Sequence, residues 1–504
     1  MSAIESLVQP ETGTERSSLS VGLPTPATVG LVTVLAAIAV VALAPRIDPD
    51  LWWHVKVGAW IVAHHAVPSR DIYSFTMYGH AWTDHEWLSE VLMYWLYQLG
   101  GLWGPIVFFA GVIVVTFVLV YRTMRRLGIS PFLAVFVLAA CAFASSASWG
   151  PRVQMLSLLF LALFADLLSR YRSSGNRRLL IAFPVIMLLW ANLHAGFVIG
   201  LAVLGIAIAG LLLERSRQRP IYVRPLLIAA AASFGVTILN PHGYRLLLYP
   251  LTFLAPNAFT NQIQESASPN FHTPVMMLFA GLLLTLLGAL IVIRPRLDPT
   301  SLLTILAFTW LALSQARNVP LWSVAVGPVL AVCLQTALDH RAYSYRPRSL
   351  SRRRGALNLA VMVLVLGGLA LEGSRFIGPR GVQTAVVQQY PTGAVAFMSK
   401  RNLPRDTLVS YNWSGYFIGR LGPRYLTFLD LRADTVFTPA VLDAYLAAYG
   451  AAPDWSATLQ RYHVGTVLVE RASPLAQVLT RSSKWRDVYK DSQAVVYVRR
   501  DLFR

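Results

Sequence analysis

A chain of 504 residues that is 55% hydrophobic and 13% charged, with mean hydropathy +0.53, is too apolar for an ordinary soluble domain and belongs in a bilayer. Its net charge of +19 comes from arginines clustered between apolar runs, which argues for membrane topology and against nucleic acid as a partner. The two cysteines, Cys141 and Cys333, lie inside apolar runs and support neither a disulfide framework nor a thiolate metal site.

Residues 1–27 form a polar tail with Glu5, Glu11, Glu15 and Arg16, so the first apolar run lacks the basic leader of a cleaved signal peptide and is expected to persist as an anchor. A helix needs about 20 apolar residues to cross a ~30 Å hydrocarbon core. Candidate spans lie near 28–46, 102–122, 131–149, 154–169, 179–193, 197–213, 225–240, 274–293, 299–316, 318–338 and 355–372, eleven in all. Every second connection is basic: Arg122, Arg125 and Arg126; Arg170, Arg172, Arg177 and Arg178; Arg215, Arg217, Arg219 and Arg224; Arg294 and Arg296; then Arg341 through Arg354. These connections are expected in the cytoplasm, which places the N-terminus inside and the C-terminus outside, in what is expected to be a bacterial inner membrane.

That alternation requires residues 87–99 to lie along the membrane surface, because the next span must begin outside. Trp87, Tyr94, Trp95 and Tyr97 there, and Trp52, Trp53 and Trp60 in 51–66, suit two interfacial helices. Residues 47–101 are therefore one long outer loop of a membrane domain spanning 28–372. Beyond it, in 373–504, the runs Thr407–Tyr411, Tyr425–Leu429, Thr466–Glu470 and Ala494–Val498 alternate with helix-like segments and predict a small extracytoplasmic α/β domain.

The chemistry gathers in the outer loop. Asp48-Pro49-Asp50-Leu51-Trp52-Trp53-His54-Val55-Lys56 sets two carboxylates where the first span leaves the bilayer, and Asp84-His85-Glu86-Trp87 sets two more before the second surface helix. Ionisable groups at the membrane face carry a desolvation cost, which weighs toward function. The structural alternative is that these acids cap the two helices.

A carboxylate directly after the first span, two surface helices and an acidic turn before the second resemble the GT-C superfamily of membrane glycosyltransferases. The pattern is most similar to the aminoarabinose and protein mannose transferases that use polyprenyl-phosphate sugars. In that group the acidic turn reads Asp-Lys-Pro-Pro-Leu; here it is Asp84-His85-Glu86-Trp87-Leu88, without the prolines. The resemblance implies a mainly helical GT-C fold and an inverting transfer to a lipid, glycan or protein acceptor. Asp50 would be the general base, with Asp48 second, and Asp84, His85 and Glu86 would bind substrate or metal. It also implies cationic groups for the departing polyprenyl phosphate. Arg152 in Trp149-Gly150-Pro151-Arg152, Arg317 and Lys56 are the candidates, since a guanidinium grips phosphate oxygens in pairs. His54, Asn192, His194 and His242 are candidate sugar contacts, against a structural role at helix breaks.

Some superfamily members use a divalent cation, and Asp48, Asp50, His85 and Glu86 offer candidate ligands, although no spacing demands one. No His-Glu-x-x-His run surrounds His85, which disfavours a zinc protease. Two other classes share the hydropathy: a transporter or flippase, and a non-catalytic assembly or sensory protein. Against transport, the acids and histidines concentrate at one face, and no paired interrupted spans suggest inverted repeats.

Overall fold

The computed structural model describes residues 23–214, 219–252, 259, 264–341, 351–375 and 377–502. The tail acids and Arg16, Arg215, Arg217 and the arginines between 342 and 350 lie outside these residues. Each predicted span coincides with helix: α1 (Pro26–Leu43), α4 (Trp103–Arg126), α5 (Pro131–Ser145), α6 (Gln154–Ser174), α7 (Ala182–Leu193), α8 (Phe197–Leu213), α9 (Arg219–Val236), α11 (Pro274–Gly288), α12 (Pro299–Ser314), α13 (Val319–Ala325) with α14 (Gly327–His340), and α15 (Arg352–Ser374). Between them lie α2 (Leu51–His64), α3 (Trp87–Gly100) and α10 (Arg245–Thr252). Proline opens α1, α5, α11 and α12, where its fixed φ suits a first helical turn and its missing N–H is not needed. The side chains of Thr25, Asp298 and Ser351 cap α1, α12 and α15.

Among the described residues, six helices are long and apolar enough to cross a membrane. A seventh crossing arises if 316–325 and Gly327–His340 form one span broken by 51°, at a point where Pro328 cannot donate to the preceding turn. Phe197–Leu213, Tyr222–Val236 and Pro299–Ser314 are apolar but shorter. The chain is an integral membrane protein.

The connections sort to two ends of the bundle. At one end, Arg172 joins Asp298 at 2.9 Å and Glu214 at 3.5 Å, while Arg126 pairs with Asp166. Asp166 also has its i,i+4 neighbour Arg170, but at 3.9 Å. At the other end, Arg46 donates to the Ser146 carbonyl at 3.1 Å, and the Ala316 N–H donates to the Ala267 carbonyl at 2.8 Å. The first long loop, the α5–α6 and α7–α8 turns and segment 264–267 all meet there.

Both surface helices form where the aromatic runs predicted them. They cross at Gly58, where a Cβ would overlap the Glu90 carbonyl. Gly58→Ala is expected to destabilise the protein by about 1–3 kcal/mol through overpacking, read as a lowered unfolding temperature in lipid.

Beyond α15 the chain folds into a five-stranded sheet of order β2-β1-β3-β5-β4, with β1 (Asp406–Val409), β2 (Leu426–Thr427), β3 (Thr466–Glu470), β4 (Trp485–Lys490) and β5 (Ala494–Arg499). The first three are mutually parallel, and β5 runs antiparallel to β3 and β4. Four strands match the predicted runs. The fifth, β4, carries Arg486, Asp487 and Lys490 on a largely exposed edge, and polar edge strands give little hydrophobic signal.

The domain is joined to the first loop by backbone. Phe75 N–H donates to the Thr427 carbonyl at 3.1 Å and Thr427 N–H to the Tyr73 carbonyl at 2.9 Å, adding a short bridge beyond β2. Helix α16 (Pro379–Gln389) leads into α17 (Thr392–Ser399), and α18 (Tyr411–Leu421) follows β1. Gly415 of α18 lies against the Pro49 carbonyl with no room for a Cβ, so the domain packs directly on the Asp48-Pro49-Asp50 turn.

Candidate functional site

The turn leaving α1 is held from several sides. Gln389 Nε2 and the Tyr390 hydroxyl donate to the Ile47 carbonyl at 2.8 and 2.9 Å. Asp48 Oδ1 accepts from the Asp50 N–H at 2.9 Å, and Asp50 Oδ1 accepts from the Trp53 indole at 2.9 Å. Neither acid caps α2: Asp50 sits at the N-cap but makes no side-chain cap bond. Glu86 begins α3 in the same way, without a cap bond. Asp50 instead turns to the Trp53 indole in the first turn of α2, and Glu86 to histidines from other segments.

The partner of Asp48 is Arg152, which the Gly150-Pro151 break between α5 and α6 delivers to the turn. Its Nε lies 2.7 Å from Asp48 Oδ2, while Nη1 and Nη2 donate to the two oxygens of Glu265 at 2.7 and 2.8 Å. Burial opposes the guanidinium charge, but the Asp48 and Glu265 carboxylates hold its pKa above the ordinary value. Burial also raises both Asp48 and Asp50, and Asp50 rises to about 8 because Asp48 adds its charge. Asp48 alone faces Arg152 at 2.7 Å, so the proton retained by this pair resides on Asp50.

Glu86 centres a second group. His54 Nε2 lies 3.5 Å from its Oε2, and His85 and His194 Nε2 each lie 3.4 Å from its Oε1. Burial would raise this carboxyl, but His85, His194 and His54 bring it down to about 2. Burial opposes charge on His85 too, yet Glu86 and Asp84 raise its pKa and so favour its charged form beside Glu86. Burial lowers His54 and His194 to about 4, so both are neutral at neutral pH. His194 Nδ1 accepts from the Gly196 N–H at 3.0 Å and lies 2.7 Å from Ser157 Oγ. The neutral ring therefore carries its proton on Nε2, facing Glu86. Behind it, burial and the Asp84 carboxylate push Glu90 well above the usual range, and burial raises Asp84 to about 6.

Other candidates have different placements. Arg317, at the break before α13, bonds Gln315 at 2.9 Å, and its charge acts on both Glu265 and His194. Asn192 accepts from the Trp87 indole at 3.0 Å and donates to the Leu188 and Leu239 carbonyls, which commits its amide to holding α3 against α7. His242 Nε2 donates to the Asp84 carbonyl at 2.8 Å and braces that turn. Lys56 is half-buried on α2, and burial alone lowers its pKa. Glu265, Glu90 and Arg432 were not anticipated. Glu90 follows Glu86 by four residues on α3 and Arg432 follows Asp430 by two, spacings that carry no functional signature of their own, while Glu265 has no charged neighbour in sequence; tertiary folding brings Glu265 and Arg432 to the loop.

A cavity of about 590 Å³ opens beside the Asp48–Arg152 pair, lined by Arg46, Trp149, Gln388 and Gln389. Among the described residues, no three His, Cys, Asp or Glu side chains are arranged to hold a metal, so the suggested set of Asp48, Asp50, His85 and Glu86 does not converge on one point.

No protein-family model and no curated protein sequence matches this chain. Solved structures do. ArnT from Cupriavidus metallidurans, bound to undecaprenyl phosphate, is 15% identical over 93% of this chain and 97% of its own, with a TM-score of 0.51. The Archaeoglobus fulgidus oligosaccharyltransferase tethered to an acceptor peptide with the NVT sequon is 13% identical over 93% of this chain and 73% of its own, with a TM-score of 0.51. Its apo form is 12% identical over 87% and 69%, with a TM-score of 0.50. At such identities the likeness is one of fold, and the fold of this chain is that of the GT-C membrane glycosyltransferases.

Proposed function

We propose that this protein is an inverting glycosyltransferase that moves a sugar from a polyprenyl-phosphate donor to an acceptor hydroxyl at the extracytoplasmic face of a bacterial inner membrane. The observation that carries this reading is the paired Asp48 and Asp50 set against Arg152, beside a cavity, in a GT-C fold. Asp50 takes the acceptor proton as the acceptor oxygen bonds to the anomeric carbon. The bond from that carbon to the phosphate oxygen breaks, and the polyprenyl phosphate leaves with the electron pair. ArnT bound to undecaprenyl phosphate supports a lipid-linked donor, and the peptide-tethered oligosaccharyltransferase supports acceptors as large as protein; a lipid or glycan acceptor fits equally.

Three of the five Arg152 N–H groups serve Asp48 and Glu265, leaving two for the phosphate, with Arg317 nearby. The N-terminus is then cytoplasmic, and 373–504 forms an extracytoplasmic domain against the first loop.

The test is incubation in lipid with a panel of radiolabelled polyprenyl-phosphate sugars, comparing wild type with Asp50→Asn. Asp50-dependent turnover establishes the transferase and its donor. A folded protein that turns over none of the panel sinks the reading and directs attention to flux assays. Once a donor is known, Arg152→Ala is expected to weaken its binding by about 1.5–3 kcal/mol, the value of hydrogen bonds to a charged group, while the protein still inserts. Global misfolding instead would assign Arg152 a structural role alone.

A further inference from the structure

We infer that Arg152 is a built-in cation at the reaction centre, occupying the place between Asp48 and Glu265 where a divalent metal would otherwise be needed. The inference rests on the transferase reading for what the centre does, but not for how it is held together.

Asp48 and Glu265 come from connections more than two hundred residues apart, yet both carboxylates turn toward a common point. Asp48 is largely buried while Glu265 is half-exposed at the rim, and two carboxylates turned to one point, one of them desolvated, favour a positive charge between them. Here that charge is covalent. One guanidinium meets Asp48 Oδ2 through Nε at 2.7 Å and both Glu265 oxygens through Nη1 and Nη2 at 2.7 and 2.8 Å. Planarity fixes the two contacts in one geometry, as a coordination sphere would, and the group cannot lose its proton to make way for an ion. Arg317 adds a second positive charge acting on Glu265, so an incoming dication meets repulsion as well as occupied oxygens.

Asp50 and Glu86 supply no alternative cradle. Asp50 Oδ1 is taken by the Trp53 indole. Glu86 faces the Nε2–H of His194, a donor rather than a lone pair, because Nδ1 already accepts from Gly196. The divalent cation used by some GT-C enzymes therefore does not fit the residues present. The same bridge explains how three separate elements stay in register around the cavity without an exchangeable ion.

The experiment is Mn2+ titration of the full chain in lipid nanodiscs, followed by electron paramagnetic resonance with metal content measured in parallel. Wild type is expected to bind no stoichiometric Mn2+ at millimolar concentration. Arg152→Ser leaves Asp48 and Glu265 facing one another, and is expected to gain one Mn2+ with affinity at least about tenfold higher, roughly 1.4 kcal/mol. Adding Glu265→Gln should abolish that gain. One equivalent of Mn2+ on wild type, lost in Asp48→Asn, overturns the inference, as does a folded Arg152→Ser that binds none. If Arg152→Ser does not fold, the wild-type titration decides alone. No sugar donor is involved, so the result is independent of the transferase reading. Transfer that is lost in EDTA and restored by Mn2+ would overturn the built-in cation and leave that reading intact.

Discussion

Asp50→Asn is expected to slow sugar transfer by about 10²- to 10⁴-fold, the usual contribution of a positioned general base, while leaving membrane insertion and unfolding temperature unchanged. The amide still accepts the Trp53 indole hydrogen bond but cannot take a proton. Asp48→Asn is expected to be less severe, because its loss acts through Arg152 rather than on the acceptor. The pH profile supplies the sign. Burial and the neighbouring Asp48 raise Asp50 to about 8, so it is protonated and inactive as a base below that value. Transfer should rise with pH toward a plateau above about 8. A rate that falls over the same range would make Asp50 an acid, and equal rates for wild type and Asp50→Asn would remove it from the chemistry.

Arg432→Met is expected to cost about 3–5 kcal/mol and to loosen the C-terminal domain from the first loop. Arg432 is wholly buried, with Nη1 2.6 Å from Asp71 Oδ1 and Nη2 2.8 Å from Asp430 Oδ2, and its guanidinium stacks 4.9 Å from the Trp82 ring. Its removal leaves two carboxylates buried without a cation. Asp71 also receives the Tyr73 and Ser74 N–H groups, so the loop loses its attachment beside the Ser74–Thr427 bridge. Unfolding in lipid and proteolysis of the 67–82 segment would both report it. Asp71→Asn combined with Arg432→Met should cost less than the sum of the two single changes, since one interaction is being counted twice. Strict additivity would mean the ion pair does not hold the loop.

The fold was legible where its physics is local. Apolar runs, aromatics at 51–66 and 87–99, and period-two runs after 373 each record a one-dimensional constraint, and each has its helix or strand, although of the eleven expected spans six described helices, or seven with the bent pair, are long and apolar enough to cross. The acidic loop was legible for a related reason: carboxylates beside hydrocarbon are costly enough to stand out against their surroundings. What each acid does was not. In sequence, Asp50 and Glu86 are equally good helix caps, yet their side chains make no cap bonds and turn to Trp53 and to His54, His85 and His194. Glu265 has no local pattern at all, and Arg432 shows in sequence only its neighbour Asp430, not Asp71. Their roles depend on desolvation and on charges brought together from distant segments, and both exist only after the helices pack. The sequence determined a multispan membrane protein with an acidic first loop; tertiary structure decided that Arg152 bridges Asp48 to Glu265 and that the C-terminal domain clamps the loop, because charge pairing in a low-dielectric site is a property of distance in space.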